Sequence, residues 1–167
     1  MTLRFRLAEK PDAELVQALL AQLAVHDGGV LRGGTDSLIR YGFGAQPMFR
    51  VTLALHGEEP VGLALFHPEY SSWRGQVGAY VQDLFVSKAA RGAGLGRALL
   101  AEVFSASRDW DATVLSLMVQ RSNPAAQRFY ASAGFERRGN SDWLVLEGEN
   151  LAALVQHKAR PAQSQKS

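Results

Sequence analysis

A glycine-rich segment at residues 91–97 has the composition of a phosphate-binding loop. It reads Arg-Gly-Ala-Gly-Leu-Gly-Arg and joins a predicted strand that ends at Val86 to a predicted helix that begins near Gly94. Glycines let successive backbone N–H groups face a ligand, and the helix N-terminus adds partial positive charge. Arg91 and Arg97 can add side-chain donors. The segment therefore predicts a diphosphate site, and an ordinary strand-to-helix turn is the structural alternative.

Two widespread phosphate-binding motifs do not fit this segment. A P-loop has a lysine directly after its last glycine, and here Arg97 stands in that place. A dinucleotide-binding loop is followed by an acidic residue at the end of the next strand, where this chain has Gln120. Neither motif accounts for the glycines.

The composition limits the function further. Of 167 residues 47% are apolar, which suffices for one hydrophobic core without metal or disulfide support. The chain has no cysteine, and its four histidines show no metal-ligand spacing, so we expect neither a thiol nucleophile nor a metal site. No Lys/Arg cluster is interleaved with aromatic residues, so we expect no nucleic-acid partner.

No segment is predicted to enter a membrane. The N-terminal residues lack the apolar core of a signal peptide, and no run of 18 apolar residues occurs, so we expect a cytoplasmic protein. Residues 1–83 carry 7 basic and 9 acidic side chains, whereas residues 84–167 carry 11 and 7. This weak asymmetry is compatible with an anionic ligand on the C-terminal half.

Hydrophobic periodicity predicts strands interspersed with helices. Strands are predicted at residues 3–8, 49–56, 61–66, 77–86, 113–119, 135–138 and 143–146. Helices are predicted at residues 11–26, 35–41, 94–108, 123–133 and 149–158. A loop with exposed aromatic residues is predicted at residues 68–76.

The order of these elements predicts the fold class. The hairpin-rich first half indicates antiparallel pairing, and the helix between Val86 and Thr113 indicates a parallel crossover. We expect an α/β (α+β) domain over residues 1–158, with a mixed, mostly antiparallel sheet of about seven strands and helices on both faces. Residues 159–167 are polar and are predicted to form a disordered tail.

Two motifs resemble the GNAT family of N-acetyltransferases. Arg91-x-x-Gly94-x-Gly96 resembles the family's Arg/Gln-x-x-Gly-x-Gly/Ala signature. Residues 123–135 resemble its Asn-x-x-Ala-x-x-Phe-Tyr-x-x-x-Gly-Phe block. Both occur in the family's order and at its spacing. The resemblance implies the GNAT fold and an enzyme that uses acetyl-CoA as its acetyl donor.

Within that family the chain most resembles the diamine and polyamine acetyltransferases, which include the spermidine/spermine and thialysine enzymes. Residues 41–49 resemble a segment with Phe-Gly and a following Pro-Phe, and Tyr70 with residues 73–75 resembles a Tyr-x-x-Trp-x-Gly loop. Residues 82–86 resemble a Glu-Asp-Phe/Leu-Phe/Tyr-Val strand. This branch implies a small aliphatic diamine, polyamine or lysine-like acceptor, and a homodimer.

The resemblance also implies which residues bind acetyl-CoA. A bulge before the glycine loop is expected to direct backbone N–H groups of Leu84, Phe85 and Val86 at the thioester oxygen. Asn123 is expected to contact the pantetheine arm, with Ala126 nearby, and it can cap its helix at the same time. The residues expected around the phosphates are Arg91, Gly92, Ala93, Gly94, Leu95, Gly96 and Arg97.

Acidic residues are expected to attract a cationic acceptor. Asp27 and Asp83 match acidic positions of the diamine branch, and Asp142 lies close to a third. Gln82 stands where that branch has glutamate, which predicts a weaker preference for long polyamines. The predicted substrate-binding residues are Asp27, Gln82, Asp83 and Asp142.

Two residues are candidates for proton transfer. An alkylamine with a pKa near 10.4 is an ammonium ion at pH 7, and deprotonating it costs roughly 4–5 kcal/mol. Asp83 could accept that proton, directly or through water, or it could be a buried structural carboxylate. The family motif assigns Tyr130 to protonate the departing thiolate, whereas residue type alone favours a core tyrosine beside Phe129.

Several alternatives stay open at this point. The chain could be a non-catalytic acyl-CoA-binding module, or its acceptor could be a protein N-terminus, an amino acid or an aminoglycoside. Tyr70, Trp73 and Trp143 could belong to the core, to a dimer interface or to a wall of the substrate site.

Overall fold

Five strands form a single sheet in the computed structural model, which describes residues 2–139 and 146–156. The strands are β1 (Leu3–Leu7), β2 (Arg50–His56), β3 (Glu59–Ser71), β4 (Gln76–Val86) and β5 (Val114–Leu117). The helices are α1 (Ala13–His26), α2 (Thr35–Gly42), α3 (Leu95–Ser105), α4 (Pro124–Ser132) and α5 (Gly148–Gln156).

The sheet is mixed and mostly antiparallel, as the order of elements predicted. The strands lie in the order β1-β2-β3-β4-β5, and each neighbouring pair is antiparallel except β4 and β5. The parallel pair is connected through α3, because a parallel crossover needs a long connection. The α/β class is confirmed.

Apolar residues on both faces of the sheet place helices on both sides. Leu53 and Leu63 face one cluster, which packs against α1 and α2. Ala64 and Phe66 face the other cluster, which packs against α3 through side chains such as Leu99. The two faces alternate along each strand, so β3 is buried on both sides over its central part. The predicted helices on both faces are confirmed.

The number of strands differs from the prediction of about seven. Residues 135–138 are not a strand, because the backbone of Phe135 closes helix α4 instead. Phe135 N–H donates to Tyr130 O (2.9 Å) and Gly134 N–H donates to Ala131 O (3.0 Å), with Gly134 at φ 92°. This is a Schellman cap, which glycine favours. The strand predicted at 143–146 and the tail at 159–167 lie outside the described residues, apart from Leu146, which is not in a strand.

The hairpin between β3 and β4 also differs from the prediction. Residues 68–71 and 76–79 pair as strands, so only four residues remain for the turn, and the loop predicted at 68–76 is mostly wrong. Tyr70 and Trp73 are 68% and 99% exposed on this hairpin. Their exposure excludes the core interpretation for both, and a dimer contact stays a prediction. Trp143 lies outside the described residues.

Candidate active site

A cleft of about 830 Å³ opens where β4 and β5 separate. The last β4–β5 pair is Val81 with Leu117, and β4 then continues to Val86 paired only with β3. A bulge lies at the same point, because Leu65 and Phe66 on β3 pair with Asp83 and Val81 and leave Gln82 unpaired. The cleft therefore forms because the hydrogen-bonded pairing of β4 with β5 ends here and the two parallel strands diverge.

The cleft brings together most of the residues that the sequence singled out. Predicted site residues that line it are Asp27, Gln82, Asp83, Leu84, Phe85, Val86, Arg91, Gly92, Gly94, Leu95, Gly96, Arg97, Asn123, Ala126 and Tyr130. Ala93 does not line it, and Asp142 lies outside the described residues.

Beyond Val81, strand β4 offers backbone groups to the cleft. On its other side, Ser87 N–H donates to Val61 O (2.9 Å), and an antiparallel pair alternates bonded with unbonded residues. The N–H groups of Leu84 and Val86 therefore point away from β3, into the gap left by β5. Two fixed donors spaced along one strand edge are suited to hydrogen-bonding an extended ligand or to stabilising an oxyanion.

The glycine loop ends in the N-terminus of α3. Gly92 and Gly94 have φ values of 85° and 78°, which side chains rarely adopt, and a Cβ on either would meet no atom within 4 Å. Gly94 is the N-cap residue of the helix, so the unbonded N–H groups of its first turn face the cleft mouth. The residues present therefore fit a diphosphate.

Both arginines of the loop also have contacts within the protein. Arg91 Nε donates to Val86 O (3.0 Å), which fixes the loop to the end of β4. Arg97 donates through Nη2 to Ser132 O, at the end of α4. Each guanidinium has further N–H groups, so these contacts orient the side chains without using all of their donors.

A close contact between helices holds α4 beside the loop. A Cβ on Gly96 would lie 2.8 Å from Cζ of Phe129, so glycine is required for this approach. At the start of α4, Asn123 Oδ1 accepts a hydrogen bond from Ala126 N–H (3.0 Å). The predicted capping role of Asn123 is confirmed, and the cap lies on the cleft wall.

Tyr130 lies on the cleft wall with its ring packed in an aromatic cluster. Its ring centroid is 5.1 Å from Phe129 and 5.6 Å from Phe135. Burial raises the pKa of Tyr130, and the negative charges of Asp27 and Asp83 raise it further. Its hydroxyl therefore keeps its proton at neutral pH. The packing and proton-donor interpretations are compatible, because the ring packs while the residue lines the cleft.

Two carboxylates, those of Asp27 and Asp83, line the cleft close enough to interact. Burial raises the pKa of Asp83, and the nearby charge of Asp27 raises it further. Within residues 2–139 and 146–156, the ion pairs formed involve neither carboxylate. A carboxylate destabilised by burial and by a like charge favours a bound cation.

Other residues of the cleft were missed at the level of sequence. His26, Tyr80 and Met118 line it, together with Leu23, Ala90, Val119, Gln120, Ala125 and Phe129. Strand alternation would place Tyr80 on the same face as Gln82, whereas the bulge at Gln82 places it on the face of Asp83, and no local sequence pattern predicts that bulge. The described part of the chain contains no group of three His, Cys, Asp or Glu side chains that could hold a metal ion. No helix there is long and apolar enough to cross a membrane.

Comparison with known proteins identifies the family of this chain. The sequence profile of the acetyltransferase (GNAT) family matches residues 14–135, which include the glycine loop, the separated strand and α4. The chain belongs to the GNAT family. It is an N-acetyltransferase, and GNAT acetyltransferases use acetyl-CoA.

Named relatives and solved structures agree with this GNAT assignment. A thialysine N-epsilon-acetyltransferase of Bos taurus is 26% identical over 163 residues, covering 90% of this chain and 95% of the relative. An integron cassette protein from the mobile metagenome of V. cholerae has a TM-score of 0.76 at 23% identity, covering 94% of this chain and 99% of that one. An aminoglycoside acetyltransferase from a soil metagenomic sample, in complex with sisomicin, has a TM-score of 0.72 at 16% identity, covering 87% and 97%. The two structures support the fold.

Replacing Gly94 with aspartate is expected to weaken acetyl-CoA binding by roughly 100-fold or more, because a carboxylate would face the diphosphate. Calorimetric titration with acetyl-CoA measures the effect. Gly94→Asn is the control for the charge, because it places an uncharged side chain of similar shape on the same left-handed backbone. Gly75→Asp, on the β3–β4 turn at φ 60°, controls for backbone strain away from the cleft. A folded Gly94→Asp variant with unchanged affinity would contradict the assignment.

Replacing Asp83 with asparagine is expected to raise the free energy of unfolding at neutral pH. Burial raises the folded-state pKa of Asp83, so its ionised form opposes folding. The gain should be absent below the ordinary aspartate pKa of about 3.9, where both states are protonated, should grow as the pH rises from there to the folded-state pKa, and should level off above it. Urea unfolding at a series of pH values measures this. A gain that is independent of pH would show that charge is not its cause.

Proposed function

We propose that this enzyme transfers the acetyl group of acetyl-CoA to a primary amine of a small aliphatic diamine, polyamine or lysine-like compound, by direct attack within a ternary complex. The observation that carries this proposal is the pair of carboxylates, Asp27 and Asp83, which line the same cleft as the glycine loop. The names of the thialysine N-epsilon-acetyltransferase relatives support an amine at the end of an aliphatic chain.

The two carboxylates have two tasks in this proposal. The carboxylates first attract the ammonium form of the acceptor, which is the abundant form at neutral pH. The amine must then lose a proton before its nitrogen can attack the thioester carbon. Asp83, whose pKa is raised by burial, is the group best suited to accept that proton, directly or through water. Gln82, at the bulge, has no ionisable group, so it can only orient the acceptor.

The strand edge and the loop bind the donor. The N–H groups of Leu84 and Val86 are suited to stabilising the negative charge that develops on the thioester oxygen as the amine attacks. Such donors are effective because they are fixed in position before the charge appears. Asn123 and Ala126 would line the pantetheine arm, and residues 91–97 would bind the diphosphate.

Tyr130 provides the last proton transfer. The departing thiolate needs a proton, and a phenol that stays protonated at neutral pH can supply it. Burial and the nearby carboxylates raise the pKa of Tyr130, which keeps it in this form until the thiolate leaves. The aromatic contacts with Phe129 and Phe135 limit the movement of the ring.

A panel of amines tested with acetyl-CoA and a thiol-release assay examines the acceptor. We expect turnover with aliphatic diamines and with lysine-like amines. Aminoglycosides, arylamines, amino acids without a side-chain amine and peptides with a free N-terminus are the competing acceptors. Faster acetylation of an arylamine or an aminoglycoside than of every aliphatic diamine in the panel would overturn the proposed acceptor class.

Replacing Tyr130 with phenylalanine is expected to lower turnover by roughly 10²-fold or more, because it removes a positioned general acid. The ring and its packing remain, so the free energy of unfolding should change by about 1 kcal/mol or less. Acetyl-CoA affinity should change little, since the diphosphate site is untouched. Single-turnover kinetics at saturating amine separates the chemical step from product release. Tyr41→Phe, on α2 and outside the cleft, is the matched control, and a Tyr130→Phe variant with full single-turnover rate would assign the residue to packing alone.

A further inference from the structure

The carboxylate of Glu69 crosses strand β4 on the sheet. Glu69 is on β3, and its Oε2 accepts a hydrogen bond from the hydroxyl of Ser116 on β5 (2.7 Å), although β4 lies between these strands. The residue of β4 opposite Glu69 is Gly78, which has no side chain to obstruct the path. A side chain held across a neighbouring strand has a defined position, unlike most exposed glutamates.

Glu69 lies on the same face of the sheet as Asp83. Alternate residues of a strand share a face, so Leu65, His67 and Glu69 point to one side. Their partners on β4 are Asp83, Tyr80 and Gly78. On β3, Glu69 is four residues from Leu65, the partner of Asp83, which is roughly 13 Å along the strand. The carboxylate of Glu69 extends across β4.

Tyr80, which pairs with His67, lies between Asp83 and Glu69 along the sheet. It lines the cleft, and its ring packs against His67 with centroids 5.1 Å apart and ring planes tilted by 30°. Burial raises the pKa of Tyr80, followed by the charges of Glu69 and Asp83, so both carboxylates act on this one phenol. An aromatic ring between two carboxylates is a favourable surface for an aliphatic chain with an ammonium group.

No cation of the described residues pairs with Glu69. The ion pairs within residues 2–139 and 146–156 are Arg4–Glu58, Arg6–Asp12 and Arg50–Asp109. The Ser116 hydroxyl orients the carboxylate but leaves its charge uncompensated. A carboxylate accepts through both oxygens, so Glu69 can bind a cation while it keeps this hydrogen bond.

We propose that Glu69 is a specificity-determining residue, which binds the remote ammonium group of an acceptor whose reacting amine lies at Asp83. The chain between the two nitrogens passes over Tyr80. This assignment rests on the proposed function, because it extends the same acceptor site along the sheet. It predicts selectivity for diamines over monoamines, and for acceptors whose nitrogens are roughly 7–13 Å apart, the spacing of two to four residue positions along a strand.

The test compares each diamine with the monoamine of equal carbon number. In Glu69→Gln, kcat/KM for the diamine should fall about tenfold, the effect of losing a charged hydrogen bond, while kcat/KM for the monoamine stays within about twofold. Ser116→Ala should lower the ratio of kcat/KM for the diamine to kcat/KM for the monoamine by a smaller factor, because the carboxylate keeps its charge and loses its orientation. Glu59→Gln, an exposed carboxylate at the other end of β3, is the matched control and should leave the ratio unchanged.

The outcomes separate this proposal from the one on which it rests. A wild-type enzyme that acetylates no aliphatic amine would overturn both. A wild-type enzyme that acetylates diamines and monoamines equally well would overturn only the role of Glu69. The same conclusion would follow if Glu69→Gln kept the wild-type ratio, or lowered both rates equally. A ratio that falls in Glu69→Gln and, less, in Ser116→Ala would support the assignment.

Discussion

The separation of β4 from β5 is the feature on which the rest of the site depends. Where two parallel strands stop pairing, their backbone groups lose their partners and must meet water or a ligand. The bulge at Gln82 coincides with this point, so the loss of pairing is built into the strand. Donors at Leu84 and Val86, the glycine loop and the wall formed by α4 all follow from this one opening. The cleft of this GNAT enzyme is therefore an interruption in the hydrogen bonding between two parallel strands, and helices line it on both sides.

Groups of opposite charge line the same cleft. The N-terminus of α3 with Arg91 and Arg97 contributes positive charge, and Asp27 with Asp83 contributes negative charge. A cleft with both signs has groups that can complement an anionic donor and a cationic acceptor.

Most of the site residues predicted from the sequence line one cleft, whereas the sheet has fewer strands than predicted. The glycine loop and the block around Tyr130 depend on local backbone geometry and on helix spacing, which short motifs encode directly. The strand predicted at Phe135 failed because Gly134 and Phe135 serve as a helix cap, and an apolar residue after a glycine suits either structure. Tyr80 and Glu69 were missed for a different reason. Their position relative to Asp83 depends on pairing between strands and on a bulge, and neither has a local sequence signal.

The contact between α3 and α4 fixes the spacing of two parts of the cleft. Gly96 lies against the ring of Phe129, and Arg97 is bonded to the last turn of α4 at Ser132, so the two helices have little freedom to slide. The loop at the start of α3 and the ring of Tyr130 therefore belong to one mechanical unit. Their relative position is set by contacts within the protein itself and needs no bound ligand.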